Sequence, residues 1–426
     1  RVGIKITGNN RKKRTLYYFN WLKYGIFIII ILSGIIQLYY IGFFPFNTGN
    51  YEHNFTKLWN VMNENYPYFE LKNKDWQQIY NTYLPQVREI NNDKDYYILM
   101  QNMLGELNDV HTGIINPALN KDFNWLGTVK KIDNKAVVTY IRPSVNIDGL
   151  EVGSVILEKN KKDITEYIES LNPIFKNGST QEYREHLAYL RILAVKSNEK
   201  VRLTYLSPTG KRYTKEIKWK EEYNSQTLVQ ANQIIISRLM PSGIGVITIN
   251  SFSSHFGKAL IKEFDLALNN VFGAEGLIID LRNNKGGSTF LSEPMAGRFI
   301  SRPYFYGKEY KRTRLPIIGW AKILNYKINP RGETYLGPLA ILTSVSNVST
   351  CEQFVVSLVD SQRAVTIGEN TGGSSGNPVT FHIPKGKVRF SLGAFYRNNG
   401  KPIEGKGIKP YIELKTSLAD LKRGTD

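Results

Sequence analysis

The most conspicuous pattern in the chain is an apolar run over residues 24–44, in which Ile26, Phe27, Ile28, Ile29, Ile30, Ile31 and Leu32 follow one another and only Ser33, Gly34 and Gln37 interrupt. Roughly twenty apolar residues, rising about 1.5 Å each as a helix, cross a bilayer. Arg11, Lys12, Lys13, Arg14 and Lys23 precede the run, and Tyr39, Tyr40, Phe43 and Phe44 close it like an interfacial belt. Basic residues stay on the cytoplasmic side. The pattern therefore predicts a basic cytoplasmic tail over 1–23, a transmembrane anchor over 24–44, and everything later on the far, periplasmic side. A cleaved leader is the rival reading, but no small-x-small site follows directly and the run is long for a leader.

Beyond the anchor the periodicity changes three times. Over residues 50–120, Phe55, Leu58, Trp59, Met62 and Tyr66 recur at helical spacing, as do Ile79, Tyr83 and Val87, and then Leu99, Met103 and Leu107. This predicts a small helical cap, with breaks at Pro67 and Pro85. Residues 125–222 show short β-type runs at 136–141, 154–157 and 201–206, a helix near 164–171, and a hairpin turn at Ser207-Pro208-Thr209-Gly210. Their order is similar to a PDZ domain, which binds extended peptides by strand addition. From 228 to 426, buried-type strands (245–250, 276–281, 339–343, 364–367) alternate with helices (256–268, after Ser288, from Thr350), the signature of an α/β layer.

Composition narrows the function. Fifty-six Lys and Arg against 37 Asp and Glu give a net charge of +19. That charge is dispersed, with no basic stripe interleaved with aromatics, so nucleic acid is not an expected partner. The single cysteine, Cys351, excludes an intrachain disulfide framework and a cysteine zinc cluster. No His-Glu-x-x-His spacing occurs, so neither metal nor other cofactor is expected.

Three segments carry chemistry. In Asp280-Leu281-Arg282-Asn283-Asn284-Lys285-Gly286-Gly287 a buried strand runs into a Gly-Gly turn, whose bare N–H groups can approach a ligand oxygen. In Thr343-Ser344-Val345-Ser346-Asn347-Val348-Ser349-Thr350-Cys351-Glu352 a strand ends and a helix begins, placing Ser349 where free N–H groups and the helix dipole favour an anion. An ordinary N-cap is the alternative for Ser349, and Glu352 three residues on fits a capping box. The third segment is Gly368-Glu369-Asn370-Thr371-Gly372-Gly373-Ser374, with the tail Glu404-Gly405-Lys406-Gly407-Ile408-Lys409-Pro410.

In this order the segments resemble the C-terminal processing (tail-specific) peptidases and the tricorn core protease, and Leu107-Asn108-Asp109-Val110-His111-Thr112 looks like the histidine motif of the tricorn-like branch. The resemblance covers about residues 52–415. It implies an α/β (α+β) fold with a ClpP/crotonase-like core, a helical cap and an inserted PDZ-like domain. It also implies a serine peptidase acting on peptides or unfolded proteins, with Ser349 as nucleophile, His111 as base, Glu404 as the carboxylate behind the base, and an oxyanion hole from Thr350 and Gly286 or Gly287. Ser374 stands where the processing branch has its lysine, which disfavours a Ser-Lys dyad. Val110 replaces the serine that precedes the tricorn histidine, so Asp109 or Thr112 would have to orient the ring. His255 is the runner-up base, while His53, His186 and His382 read as exposed or structural. A catalytically inactive ligand-binding module on the same fold is the alternative function.

Overall fold

The computed structural model describes residues 50–116, 123–197, 199–224, 233–312 and 319–424. The expected anchor over 24–44 and the basic tail ahead of it lie outside the described residues. Among the described residues no helix is long and apolar enough to cross a membrane.

The cap consists of the helices Tyr51–Asn65, Trp76–Glu89 and Asp93–Gly105. Each begins at an Asn or Asp whose side chain accepts an N–H of the first turn: Asn50 from His53, Asp75 from Gln78 and Asn92 from Asp95, at 2.9, 2.9 and 3.0 Å. Such caps contribute about 1 kcal/mol each. The apolar stripe read from the sequence is the buried face, with Phe55, Leu58, Met62, Met103 and Leu107 at 0–1% exposure. Pro85 does not break its helix. It sits on the exposed side of the last turns, where water can satisfy the carbonyl that the missing N–H leaves free. The cap core continues into Phe381, Val388, Phe390 and Leu392 of the C-terminal region, so the cap and this region share one core. The strand Gly113–Ile115, directly after the expected histidine motif, pairs antiparallel with Gly386–Ser391.

The inserted domain has its own core around Val129, Val138, Leu203 and Tyr205. Its antiparallel sheet runs Gly127–Ile132, Lys135–Ile141, Val155–Lys159, Lys200–Leu206, Arg212–Lys218. The predicted hairpin closes through Ser207 N–H to Lys211 O and Gly210 N–H to Ser207 O, both 2.9 Å. One element escaped the periodicity. Besides Ile164–Glu169, a second helix, Gln181–Leu190, stands in this domain. Its polar composition hides it, because only Tyr183, Ala188 and Tyr189 are buried.

In the C-terminal core one sheet runs Ile235–Leu239, Ile244–Ile249, Gly276–Asp280, Leu339–Thr343, Val365–Gly368, Ile412–Glu413, antiparallel at the first pair and parallel thereafter. The helices Ala259–Asn269, Thr289–Ala296 and Thr350–Val359 join its strands, and their apolar faces share one core with Ile247, Ile279 and Ile341. The parallel register puts the ends of Gly276–Asp280 and Leu339–Thr343 side by side, with Asp280 opposite Leu342. The two loops that leave those ends carry the Gly-Gly turn and Ser349, the position at which open parallel sheets collect ligands.

Candidate active site

Polar side chains sew these two loops together. Ser344 Oγ and Ser346 Oγ each donate to Arg282 O at 2.6 Å. Asn347 donates to Leu281 O and to Asn284 O. Asn284 in turn donates to Ile249 O at 3.0 Å, and Thr350 Oγ1 donates to Gly287 O at 2.9 Å. Leu281 O also accepts Asn284 N–H at 2.7 Å; a carbonyl left unpaired in such a buried turn would cost about 1–3 kcal/mol.

Ser349 is the N-cap of the helix Thr350–Val359 and adopts φ 61°, ψ −132°. A non-glycine residue held there costs about 1–3 kcal/mol and persists only when its surroundings enforce it. They do: Ser349 N–H donates to Ser374 O at 2.7 Å and to Glu352 Oε2 at 3.2 Å. This is the sharp strand-to-helix elbow that nucleophilic serines occupy in α/β hydrolases. An ordinary N-cap has β-region backbone angles instead.

Glu352 is fully buried and holds the elbow from below. Besides Ser349 N–H it accepts from Thr371 Oγ1, from Gly373 N–H at 2.8 Å and from Ser374 N–H at 3.0 Å. Burial pushes its carboxyl up to about 8, against the pull of those donors. Cys351 faces the hydrophobic core beside Phe354 and Val355, and burial pushes its thiol well above the usual range.

The Gly-Gly turn lies against the elbow. A Cβ on Gly286 would stand 2.7 Å from Val348 O and 3.0 Å from both Ser349 Cβ and Thr350 N, so a small cradle beside Ser349 is kept open by the missing side chain. Gly286 does not offer its own N–H, which donates to Asn284 Oδ1 at 2.8 Å. Of the two expected alternatives, Gly286 or Gly287, this leaves the N–H of Gly287. Gly287 is pinned by a bridge to Phe252, with Phe252 N–H to Gly286 O and Ser288 N–H to Phe252 O at 3.0 and 2.7 Å. Among the described residues neither Gly287 N–H nor Thr350 N–H has a backbone acceptor.

His111 is buried, on the loop that follows the cap. Asn177 clamps this loop with three hydrogen bonds, to Asp109 N–H, Asp109 O and Thr112 O at 2.7, 2.7 and 2.9 Å. Asp109 Oδ1 accepts His111 N–H at 2.9 Å and stands 3.7 Å from the ring Nδ1, which has no hydrogen-bond partner among the described residues. Thr112 Oγ1 donates to Asp109 Oδ2 at 2.8 Å. Burial alone would push the Asp109 carboxyl up, but Lys72 and His111 outweigh it and hold Asp109 well below the carboxylate range. Glu404 is engaged elsewhere. It pairs with Lys72 Nζ at 2.6 Å and accepts from Ser179 Oγ at 2.5 Å and Ser375 N–H at 2.6 Å. Among the described residues no hydrogen bond joins it to His111, and the carboxylate facing the ring is Asp109. The third segment connects the two halves: Ser374 Oγ donates to Ser179 Oγ at 2.9 Å while Ser374 O holds Ser349 N–H. His255 is exposed beside Phe256, and His53 and His382 are also exposed. His186 is half-buried beside Tyr183, and burial next to Lys130 and Lys285 pushes it down to about 4.

Lys72 and Asn177 were not legible as site residues. Neither stands in a motif, and both reach the site through tertiary packing alone.

Comparison with known proteins places this geometry. The model of peptidase family S41 matches residues 243–414, and that of the tricorn protease C1 domain matches residues 49–105. The tail-specific protease of Haemophilus influenzae is 23% identical over 400 residues, covering 88% of this chain and 54% of that protein. The carboxyl-terminal-processing protease of Synechocystis is 25% identical over 365 residues, covering 83% and 78%. The chain thus spans about half the length of the Haemophilus relative, and the carboxy-terminal processing protease CtpA of Bacillus subtilis is matched over only 38% of its length. In fold the chain is similar to mature CPAF, at TM-score 0.72 and 16% identity, covering 88% of this chain and 94% of that one. In its core the chain thus resembles peptidase family S41, and in its cap the tricorn protease C1 domain.

Proposed function

We propose that the chain is a serine peptidase that hydrolyses peptide bonds of proteins or peptides, with Ser349 as nucleophile and His111 as general base. The observation that carries this is the enforced backbone of Ser349 at a helix N-terminus, facing the cradle that Gly286 leaves open. The match of residues 243–414 to the model of peptidase family S41 supports the same reading. As Ser349 Oγ bonds to the substrate carbonyl carbon, His111 takes the hydroxyl proton. When the C–N bond breaks, that proton passes to the leaving amine, and water then releases the acyl group by the reverse sequence. The N–H groups of Gly287 and Thr350, with the helix dipole behind them, receive the oxyanion. Asp109 takes the orienting role expected of Glu404, since its carboxylate faces the imidazole and can stabilise the imidazolium. The sheet of the inserted domain supports a PDZ-like role in presenting an extended peptide. The apolar run 24–44 behind its basic residues supports a membrane-anchored enzyme with extracytoplasmic substrates.

The test is fluorophosphonate labelling of the full chain beside Ser349→Ala and His111→Ala. Labelling that both substitutions abolish is expected. A well-folded parent that does not react would contradict peptidase activity and favour the ligand-binding module. Recovery of the chain in a carbonate-washed membrane fraction is expected for the anchor, and recovery in the supernatant would contradict it.

A further inference from the structure

A buried cation stands where the three parts of the site meet. Lys72 lies in the turn after the first cap helix, with a side chain only 8% exposed, and its ammonium is 2.6 Å from Glu404 Oε1. The same ammonium donates to Asn108 O at 2.7 Å and reaches Ser179 Oγ at 3.4 Å. Asn108 has φ 48° and opens the loop that carries Asp109 and His111. Ser179 leads through Ser374 to the backbone of Ser349. One side chain of the cap therefore contacts the histidine loop, the tail glutamate and the serine network together.

We propose that Lys72 is a positioning residue that sets the charge balance of the site, cancelling one of its two buried carboxylates so that the His111 imidazole stays free to accept the Ser349 proton. The inference rests on the peptidase reading above. The titratable groups around the imidazole are Asp109 on its own loop, Lys72, Tyr66 and Tyr68 from the cap, Glu404 from the tail and, farther off, Glu352 from the elbow helix. Burial pushes both phenols well above their usual range, so they are uncharged at neutral pH. Burial pushes Glu352 up to about 8, against the four donors that point at it. Burial raises the Glu404 carboxyl while the Lys72 ammonium at 2.6 Å draws it down; with that pair ionised, Asp109 and Glu404 against Lys72 leave a net of minus one. An imidazolium formed during the reaction neutralises that charge. Without Lys72 the net would be minus two, which traps a proton on the imidazole before the substrate arrives. Such a role differs from simple bracing, because it acts on the pH at which the base works and not only on the rate.

The experiment is the pH profile of the fluorophosphonate labelling rate for the full chain, its Lys72→Met and Lys72→Arg variants, and the double variant Lys72→Met/Glu404→Gln. The parent rate falls on the acid side as the base becomes protonated. In Lys72→Met that limb is expected to move to higher pH by about one unit or more, the scale of one charge removed from a buried site. Lys72→Arg keeps the parent limb. The double variant removes one charge of each sign and returns the limb toward the parent position, even where its plateau rate is lower. Should Lys72→Met be too unstable to label, Lys72→Gln, which can still donate to Asn108, takes its place. A Lys72→Met limb that coincides with the parent's, or a double variant that keeps the displaced limb, would overturn the proposal and leave Lys72 as a brace. A folded parent that labels at no pH instead sinks the peptidase reading, and this inference with it.

Discussion

The cradle beside Ser349 can be tested by filling it. In Gly286→Ala the new methyl would meet Val348 O at 2.7 Å and both Ser349 Cβ and Thr350 N at 3.0 Å, with φ at +91°. The left-handed backbone costs an alanine about 1–2 kcal/mol, and crowding of this kind costs about 1–3 kcal/mol more. The sum, about 2–5 kcal/mol, lies below the ~5–15 kcal/mol that holds a typical domain together, so the variant should fold with a lowered urea midpoint. Its chemistry should suffer more. The methyl occupies the space in front of Thr350 N–H, and losing one oxyanion donor lowers acylation by about 10²–10³-fold. Gly210→Ala is the control: Gly210 has φ +87° and nothing within 4 Å of its built Cβ, in a hairpin turn of the inserted domain. It should show the conformational cost with a parental labelling rate. Fluorophosphonate labelling and urea unfolding of both variants give the comparison. A folded Gly286→Ala that labels within about threefold of the parent would refute the placement of the oxyanion beside Gly286.

Three further outcomes follow from the same geometry. Glu352→Gln turns one acceptor oxygen into a donor among four donors, so at least one buried N–H or O–H loses its partner; the urea midpoint should fall by the equivalent of about 1–3 kcal/mol or more, together with the labelling rate, and an unchanged midpoint would contradict the account of the elbow. Asn177→Ala removes the three hydrogen bonds that clamp the histidine loop, and should slow labelling more than about tenfold while urea unfolding shows a loss of about 2–4 kcal/mol. Asp109, with its carboxyl depressed in the folded chain, contributes stability that is complete above the unfolded value near 3.9 and is lost as pH falls below it; urea midpoints measured downward from about pH 5 should therefore drop more steeply for the parent than for Asp109→Asn.

What the sequence disclosed follows from the range of the interactions involved. The cap helices were legible because Phe55, Leu58 and Met62 form a stripe that burial enforces locally, and the parallel strands because Ile247, Ile279 and Ile341 are buried in short apolar runs. The Gly-Gly turn and Ser349 were legible because their motifs sit at strand ends. The helix Gln181–Leu190 was not, since few of its residues are buried and its polar face carries the signal. The hairpin Tyr304–Arg312 with Trp320–Ile328 was equally hidden, because its charged residues mask the alternation. Lys72, Asn177 and the engagement of Glu404 by Lys72 depend on contacts across 36 to more than 300 residues of chain. No local pattern encodes such a contact. The choice between Asp109 and Glu404 behind His111 likewise turns on which carboxylate the fold brings to the ring, and on which one a lysine already occupies.

The central claim is that Ser349 attacks. The most direct measurement is mass spectrometry of the full chain after reaction with a fluorophosphonate, with the adduct located by fragmentation. The account predicts one phosphonate per chain, bonded to Ser349 and absent from heat-unfolded protein. An adduct on another residue, or none on the folded chain, would contradict it.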